Sequence, residues 1–174
     1  MTDELRSDHT PEPPADDIES VAASDTTPND DDVAEAVNFN SPGQVVIAGH
    51  RQAIEKVIEG AKAAGARRAL ILPVSVPAHS SIMRPAGEAL ASELESTEFR
   101  EPDLEVMSSV AARPYRDADD IRALLEQQIS SPVQWVRTIE AMISAGAGTL
   151  VECGPGKVLA GLTRRINRDM TATC

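Results

Sequence analysis

The sequence predicts an α/β fold, and three observations carry that expectation. Short apolar runs of strand character alternate with segments whose apolar residues recur at helical spacing. Glycine or proline punctuates most of the boundaries between them. The acidic charge is gathered at one end, which leaves a nearly neutral remainder with the composition of an ordinary domain.

The chain has 174 residues and a formal net charge of −12 at pH 7. Residues 1–36 hold twelve Asp and Glu against Arg6 alone, so they account for −11 of that charge and the rest for −1. This segment contains four prolines and no aromatic residue. It buries too little apolar surface to offset the entropy of ordering, and a disordered acidic tail is expected over 1–36.

Element by element, "PGQVVIAGH" reads as a turn and then a strand over Val45–Ala48. "RQAIEKVIEGAKAAG" places Ile54, Val57, Ile58 and Ala61 at i, i+3, i+4 and i+7, an amphipathic helix that Gly65 stops. "RRALILPVSV" reads as a strand whose Ala69–Leu72 run is apolar on both faces, as in a sheet position covered on both sides. Pro73 and Pro77 end it. A helix from about Ser81 to Glu95 follows, with Met83, Ala86, Leu90 and Leu94 inward, and "LEVMSSV" is the next strand.

"DADDIRALLEQQISSP" opens with carboxylates suited to a helix N-terminus and stops before Pro132. Ile121, Leu124 and Leu125 set its inner face, and Gln128 occupies the next position on that face. An unpaired buried amide costs about 1–3 kcal/mol, so either Gln128 has a specific partner or the helix frays there and the side chain meets water. "PVQWVRTIEAMISAG" starts a helix near Pro132 with Val136, Ile139 and Ile143 inward. "TLVECGPGKVLAGLTRRI" is a strand, a glycine turn and a helix with Leu159, Leu162 and Ile166 at helical spacing.

Composition excludes several function classes. An acidic chain repels polyanions, so neither nucleic acid nor an anionic membrane surface is an expected partner. No stretch reaches the roughly 20 apolar residues of a membrane span, and no basic start leads into an apolar run. A cytoplasmic location is therefore expected. Cys153 and Cys174 suit neither a disulfide framework nor a metal spacing, so reduced thiols and no metal site are expected.

"GPGK" at Gly154–Lys157 is not a Walker loop, because Val151 and Val158 stand where Gly and Ser or Thr belong. It is either a tight packing turn or an anion-binding strand-to-helix junction. His9 falls in the tail, and His50 at a strand-to-helix junction suits a cap. His79, in "LPVSVPAHSSIM", follows the C-terminal end of a sheet strand, where open α/β sheets place their sites. A catalytic base needs a nucleophile within reach. Ser80 and Ser81 suit that role poorly, since adjacent side chains at a helix start diverge from the ring, and no GxSxG elbow occurs in the 174 residues.

Four segments, "VNFNSPGQVVIAGH", "LPVSVPAHSSIM", "QQISSPVQW" and "ECGPGKVLAGLTRRI", resemble the C-terminal part of bacterial malonyl-CoA:acyl carrier protein transacylases in order and spacing. The resemblance covers about Val37 to Ile166. It implies the C-terminal portion of an α/β-hydrolase-like acyltransferase core over 76–174 and a partial ferredoxin-like small subdomain over 37–75. It further implies malonyl transfer from coenzyme A, through a serine, to the phosphopantetheine thiol of acyl carrier protein. No cofactor is bound in such a reaction; the coenzyme A thioester is the substrate.

By the same resemblance, His79 and Gln128 are the catalytic candidates. His79 matches the general base and Gln128 the residue whose carbonyl orients it. Asn38, Asn40 and Gln44 match polar substrate-binding positions near the cleft, with turn and strand-start hydrogen bonding as the other reading. The family's GHSxG serine, oxyanion-hole glutamine and malonyl-pairing arginine have no counterpart here. Ala78 precedes the histidine where the family often has serine or a larger residue, and Ser109 stands for an asparagine. Three readings follow. The chain works with a complementary N-terminal half, it binds acyl carrier protein or pantetheine without catalysis, or it is a remnant whose apolar edges associate.

Overall fold

The computed structural model describes residues 32–174. The part of the acidic tail up to Asp31, with His9, lies outside the described residues. Strand β1 (Ala34–Ser41) begins inside the segment expected to be tail and pairs antiparallel with β2 (Gln44–Gly49) through a Pro42–Gly43 turn. Ala34 and Val37 are both buried although strict alternation would put them on opposite faces. A register shift between Ala36 and Asn38 resets the faces.

Helix α1 (Arg51–Ala63) follows the predicted spacing. It ends as predicted at Gly65, whose φ of +93° is the left-handed conformation glycine adopts without strain. Ala66 N–H donates to the Ala61 carbonyl and Gly65 N–H to that of Lys62, so the last carbonyls are satisfied in a Schellman motif. His50 stands at the N-cap position but caps nothing with its side chain. Its Nδ1 instead accepts from Val33 N–H at 3.1 Å, which closes the start of β1.

The strand expected at Ala69–Leu72 does not form. Leu70, Ile71 and Leu72 are 44–48% exposed and Val74 73%. No strand of the described residues pairs with this run, and an extended backbone without a ladder partner gains nothing over solvent.

A 3-10 turn (Ser81–Met83) leads into α2 (Arg84–Ser96). Its buried residues are Gly87 and Leu94, and the expected Ala86 is exposed. Helix α2 lies against α3 (Ala118–Ser130), and a Cβ at Gly87 would come within 3.4 Å of the Glu126 carbonyl oxygen. Leu94 lies inward as expected, while Gly87 takes the buried place expected of Ala86. The strand expected in "LEVMSSV" shrinks to β3 (Met107–Ser108), paired with β4 (Arg113–Pro114) across a turn in which Ala112 has φ +51°.

The carboxylates at the start of α3 act as predicted. Asp117 accepts from Asp120 N–H at 2.8 Å, and Asp120 is held bidentately by Arg113 at 2.6 Å to each oxygen. Those hydrogen bonds from Arg113 hold the Asp120 carboxyl at about 2, below its ordinary 3.8. A depressed carboxylate contributes stability that is present above its unfolded value and lost as pH falls through the folded one. Asp120→Asn is therefore expected to lower the urea midpoint at pH 6. The gap between the two proteins should close only as pH approaches about 2. An equal gap at every pH would show that the ion pair does not stabilise this helix start.

Helix α4 (Trp135–Ser144) starts three residues after Pro132, because the intervening chain pairs with β1 instead. Val133 N–H donates to the Val37 carbonyl at 2.9 Å, and Phe39 N–H donates to the Val133 carbonyl at 3.0 Å. Ile139 is fully buried, and Val136 and Ile143 are half-buried on the same face. Strand β5 (Thr149–Val151), helix α5 (Val158–Ile166) and strand β6 (Thr171–Thr173) form a parallel βαβ unit. The sequence gives no warning of β6, which is three residues long. Helix α5 buries Ala160, Leu162 and Thr163, while the expected Leu159 is 39% exposed.

Both cysteines are free and exposed. Among the described residues, no helix is long and apolar enough to cross a membrane and no cluster of side chains suits a metal ion. The content of the described residues is mixed α/β, with their strands in three two-stranded sheets.

Candidate functional site

The site is built on the C-terminal end of α3, where the last carbonyls of a helix have no partner within it. His79 takes two of them. Its backbone N–H donates to the Ile129 carbonyl at 3.1 Å, and its ring Nδ1 lies 2.7 Å from the Gln128 carbonyl oxygen. A carbonyl only accepts, so Nδ1 carries the proton and Nε2 is left with its lone pair.

His79 has φ +67°, a left-handed backbone that costs a non-glycine residue about 1–3 kcal/mol. Such a conformation persists where neighbouring contacts fix it. Besides the two bonds to α3, the buried Ser80 donates its hydroxyl to the Pro77 carbonyl at 2.7 Å. Ser81 donates its N–H and its hydroxyl to the two carboxylate oxygens of Glu35, at 2.7 and 2.6 Å. Both serine hydroxyls are turned to other acceptors, as their place at a helix start predicts.

Gln128 therefore meets His79 through its main chain. Its side chain is half-buried, not the sealed amide that the helical pattern suggests, and α3 remains helical to Ser130. Asn38 and Asn40 are half-buried on β1, with Asn38 opposite Val133. Gln44 accepts from Arg165 at 2.8 Å. Among the described residues, no hydrogen bond joins any of these three side chains to His79.

The Gly154–Lys157 turn joins β5 to α5. Glu152 accepts from Ala160 N–H at 2.9 Å and so fills the start of α5 with this chain's own carboxylate. A cleft of about 480 Å³ lies beside that turn and is lined by Trp135, Met142, Leu150, Leu159 and Met170 among others. His79 is outside it. Sequence reasoning missed Glu35, which was counted among the acids of the tail. The position of a charged residue between Ala34 and Ala36 in a strand was the available signal.

A family model described as "Acyl transferase domain" matches residues 14–171. The malonyl CoA-acyl carrier protein transacylase of Escherichia coli (strain K12) is 50% identical over 141 residues, 81% of this chain and 46% of that protein. The protein of the same name from Staphylococcus aureus (strain COL) is 39% identical over 145 residues, 83% of this chain and 47% of its own length. The chain thus spans about half the length of the curated relatives it matches.

Among solved structures, the acyl-carrier-protein S-malonyltransferase of Burkholderia pseudomallei 1710b aligns with a TM-score of 0.86 at 41% identity, covering 91% of this chain and 51% of that one. A malonyl-transacylase solved in complex with its type II PKS acyl-carrier protein aligns at 0.85 and 42%, covering 91% and 50%. With a family match extending over most of its length, the chain belongs to the acyl transferase domain family.

Proposed function

We propose that this chain carries the general-base side of an acyl-transfer site that moves malonyl from coenzyme A to the phosphopantetheine thiol of acyl carrier protein. The observation that carries this reading is the 2.7 Å contact between His79 Nδ1 and the Gln128 carbonyl, which fixes the tautomer a base needs. In the first half-reaction Nε2 takes the hydroxyl proton of a serine as its oxygen attacks the thioester carbonyl. The proton then passes to the departing coenzyme A thiolate. In the second, Nε2 takes the proton of the pantetheine thiol and returns it to the serine as the acyl group leaves.

The serine and the donors for its oxyanion belong, in this reading, to an N-terminal half outside these 174 residues. The exposed run Leu70–Val76 and the parallel pair β5–β6 support that assignment, since parallel sheets are ordinarily covered on both faces. Residues 37–75 are the partial ferredoxin-like subdomain, supported by the β1–β2 hairpin with α1 beside it. Residues 76–174 are the segment of the hydrolase-like core, supported by the βαβ unit. Asn38, Asn40 and Gln44 are proposed as polar groups of the cleft. No cofactor takes part, and the coenzyme A thioester is the substrate.

The absence of a GxSxG motif from the 174 residues favours a second reading, a module that binds holo acyl carrier protein without transferring anything. Weighing the protein after incubation with malonyl-CoA separates the two. The chain alone is expected to gain no malonyl group. Mixed with the N-terminal half of the Escherichia coli relative, it is expected to support malonylation of that half and onward transfer to holo acyl carrier protein. Binding of the carrier protein without transfer in the mixture would favour the second reading. No complex and no adduct would sink the first.

A further inference from the structure

We infer that Glu35 is a positioning residue that holds His79 in its left-handed backbone and its Nδ1–H tautomer. The inference rests on the reading of His79 as the base, and it concerns this chain's own residues only. Glu35 lies on β1, 46 residues before Ser81. Its two oxygens accept the Ser81 N–H at 2.7 Å and hydroxyl at 2.6 Å, a paired contact of the short, charge-assisted kind. Ser81 opens the 3-10 turn that leads into α2, where N–H groups have no partner from the helix itself.

His79 is thus held from both sides. Toward α3, its ring and its N–H are tied to consecutive carbonyls, those of Gln128 and Ile129. Toward β1, two residues further along the chain, the carboxylate of Glu35 clamps Ser81. Ser80 between them is fully buried and bonded back to Pro77, so the short segment has little freedom to take up slack. Releasing the clamp lets the turn relax toward φ below zero, which swings the ring off the Gln128 carbonyl. A free imidazole then has no reason to keep its proton on Nδ1.

The test is a ¹⁵N–¹H spectrum of the imidazoles of the full chain, recorded above the ordinary titration range of histidine. A His79→Gln sample identifies the His79 signals. His50 is an internal control, because its Nδ1 accepts from Val33 N–H and its proton must sit on Nε2. In the unaltered chain His79 is expected to show the Nδ1–H form. In Glu35→Ala the Nε2–H form should become the major one, and exchange of the His79 amide should quicken roughly tenfold, the equilibrium weight of one such hydrogen bond.

Glu35→Gln, which keeps one acceptor for Ser81, should give an intermediate result and remains informative if the alanine variant does not fold. A residue of merely structural importance would lower the melting temperature and leave the tautomer alone. An unchanged Nδ1–H signal and unchanged amide exchange in a folded Glu35 variant would overturn the inference. Failure of transfer in the mixed halves, with the tautomer shift present, would count against the acyl-transfer reading and leave the role of Glu35 standing.

Discussion

His79→Asn is expected to lower malonyl transfer in the mixed halves by about 10²–10⁴-fold, the usual contribution of a positioned general base. Asparagine is the informative replacement because it tolerates the left-handed backbone that His79 adopts at φ +67°. Its amide can donate to the Gln128 carbonyl as the ring does, but it cannot take a proton. The thermal midpoint should therefore stay close to that of the unaltered chain while the rate collapses. Gln128→Ala makes the opposite prediction to that of a side-chain catalyst. The contact to His79 is made by the main-chain carbonyl, which alanine retains, so transfer should stay within roughly threefold. Full transfer by His79→Asn, measured as malonyl on holo acyl carrier protein, would place the base elsewhere.

The largest effect on stability is expected at Gly49. A Cβ there would stand 1.9 Å from the Val33 carbonyl oxygen and 2.9 Å from Ala34 Cα, both backbone atoms that no rotamer change can move. Gly49 also pairs with Ala34, and the next residue, His50, donates its N–H to that same Val33 carbonyl at 2.8 Å. Gly49→Ala must push the start of β1 away from the end of β2, at a cost of about 3 kcal/mol or more. Gly161→Ala is the matched control. It lies inside α5 with nothing within 4 Å of the added methyl, and alanine is favoured over glycine in a helix interior by about 1 kcal/mol. Urea denaturation should thus move in opposite directions for one chemical change. A Gly49→Ala midpoint equal to the unaltered one would mean that the hairpin is not packed as described.

Helices were the most legible part of the fold. Ile54, Val57, Ile58 and Ala61 mark α1 at 3.6-residue spacing, and Gly65 marks its end, because these signals depend on neighbours within one or two turns. Asp117 at the head of α3 was equally local. Strands were less legible for the converse reason. The Ala69–Leu72 run has the composition of a buried strand, yet a strand exists only by pairing, and no partner lies among the described residues. In helix α2 Leu94 is buried as its spacing predicts, but Gly87, which has no apolar side chain to mark it, takes the buried place expected of Ala86.

The sequence by itself determined the order of helices and turns, the acidic character of the first 36 residues, and the four segments that single out His79 and Gln128. Each of these is written in a short window of residues. The tertiary structure alone decided that the His79 N–H meets the Ile129 carbonyl and that Glu35 reaches across 46 positions to Ser81. Those contacts join residues distant in the chain, and their geometry follows from how β1, α2 and α3 pack, which no local pattern of residue types encodes.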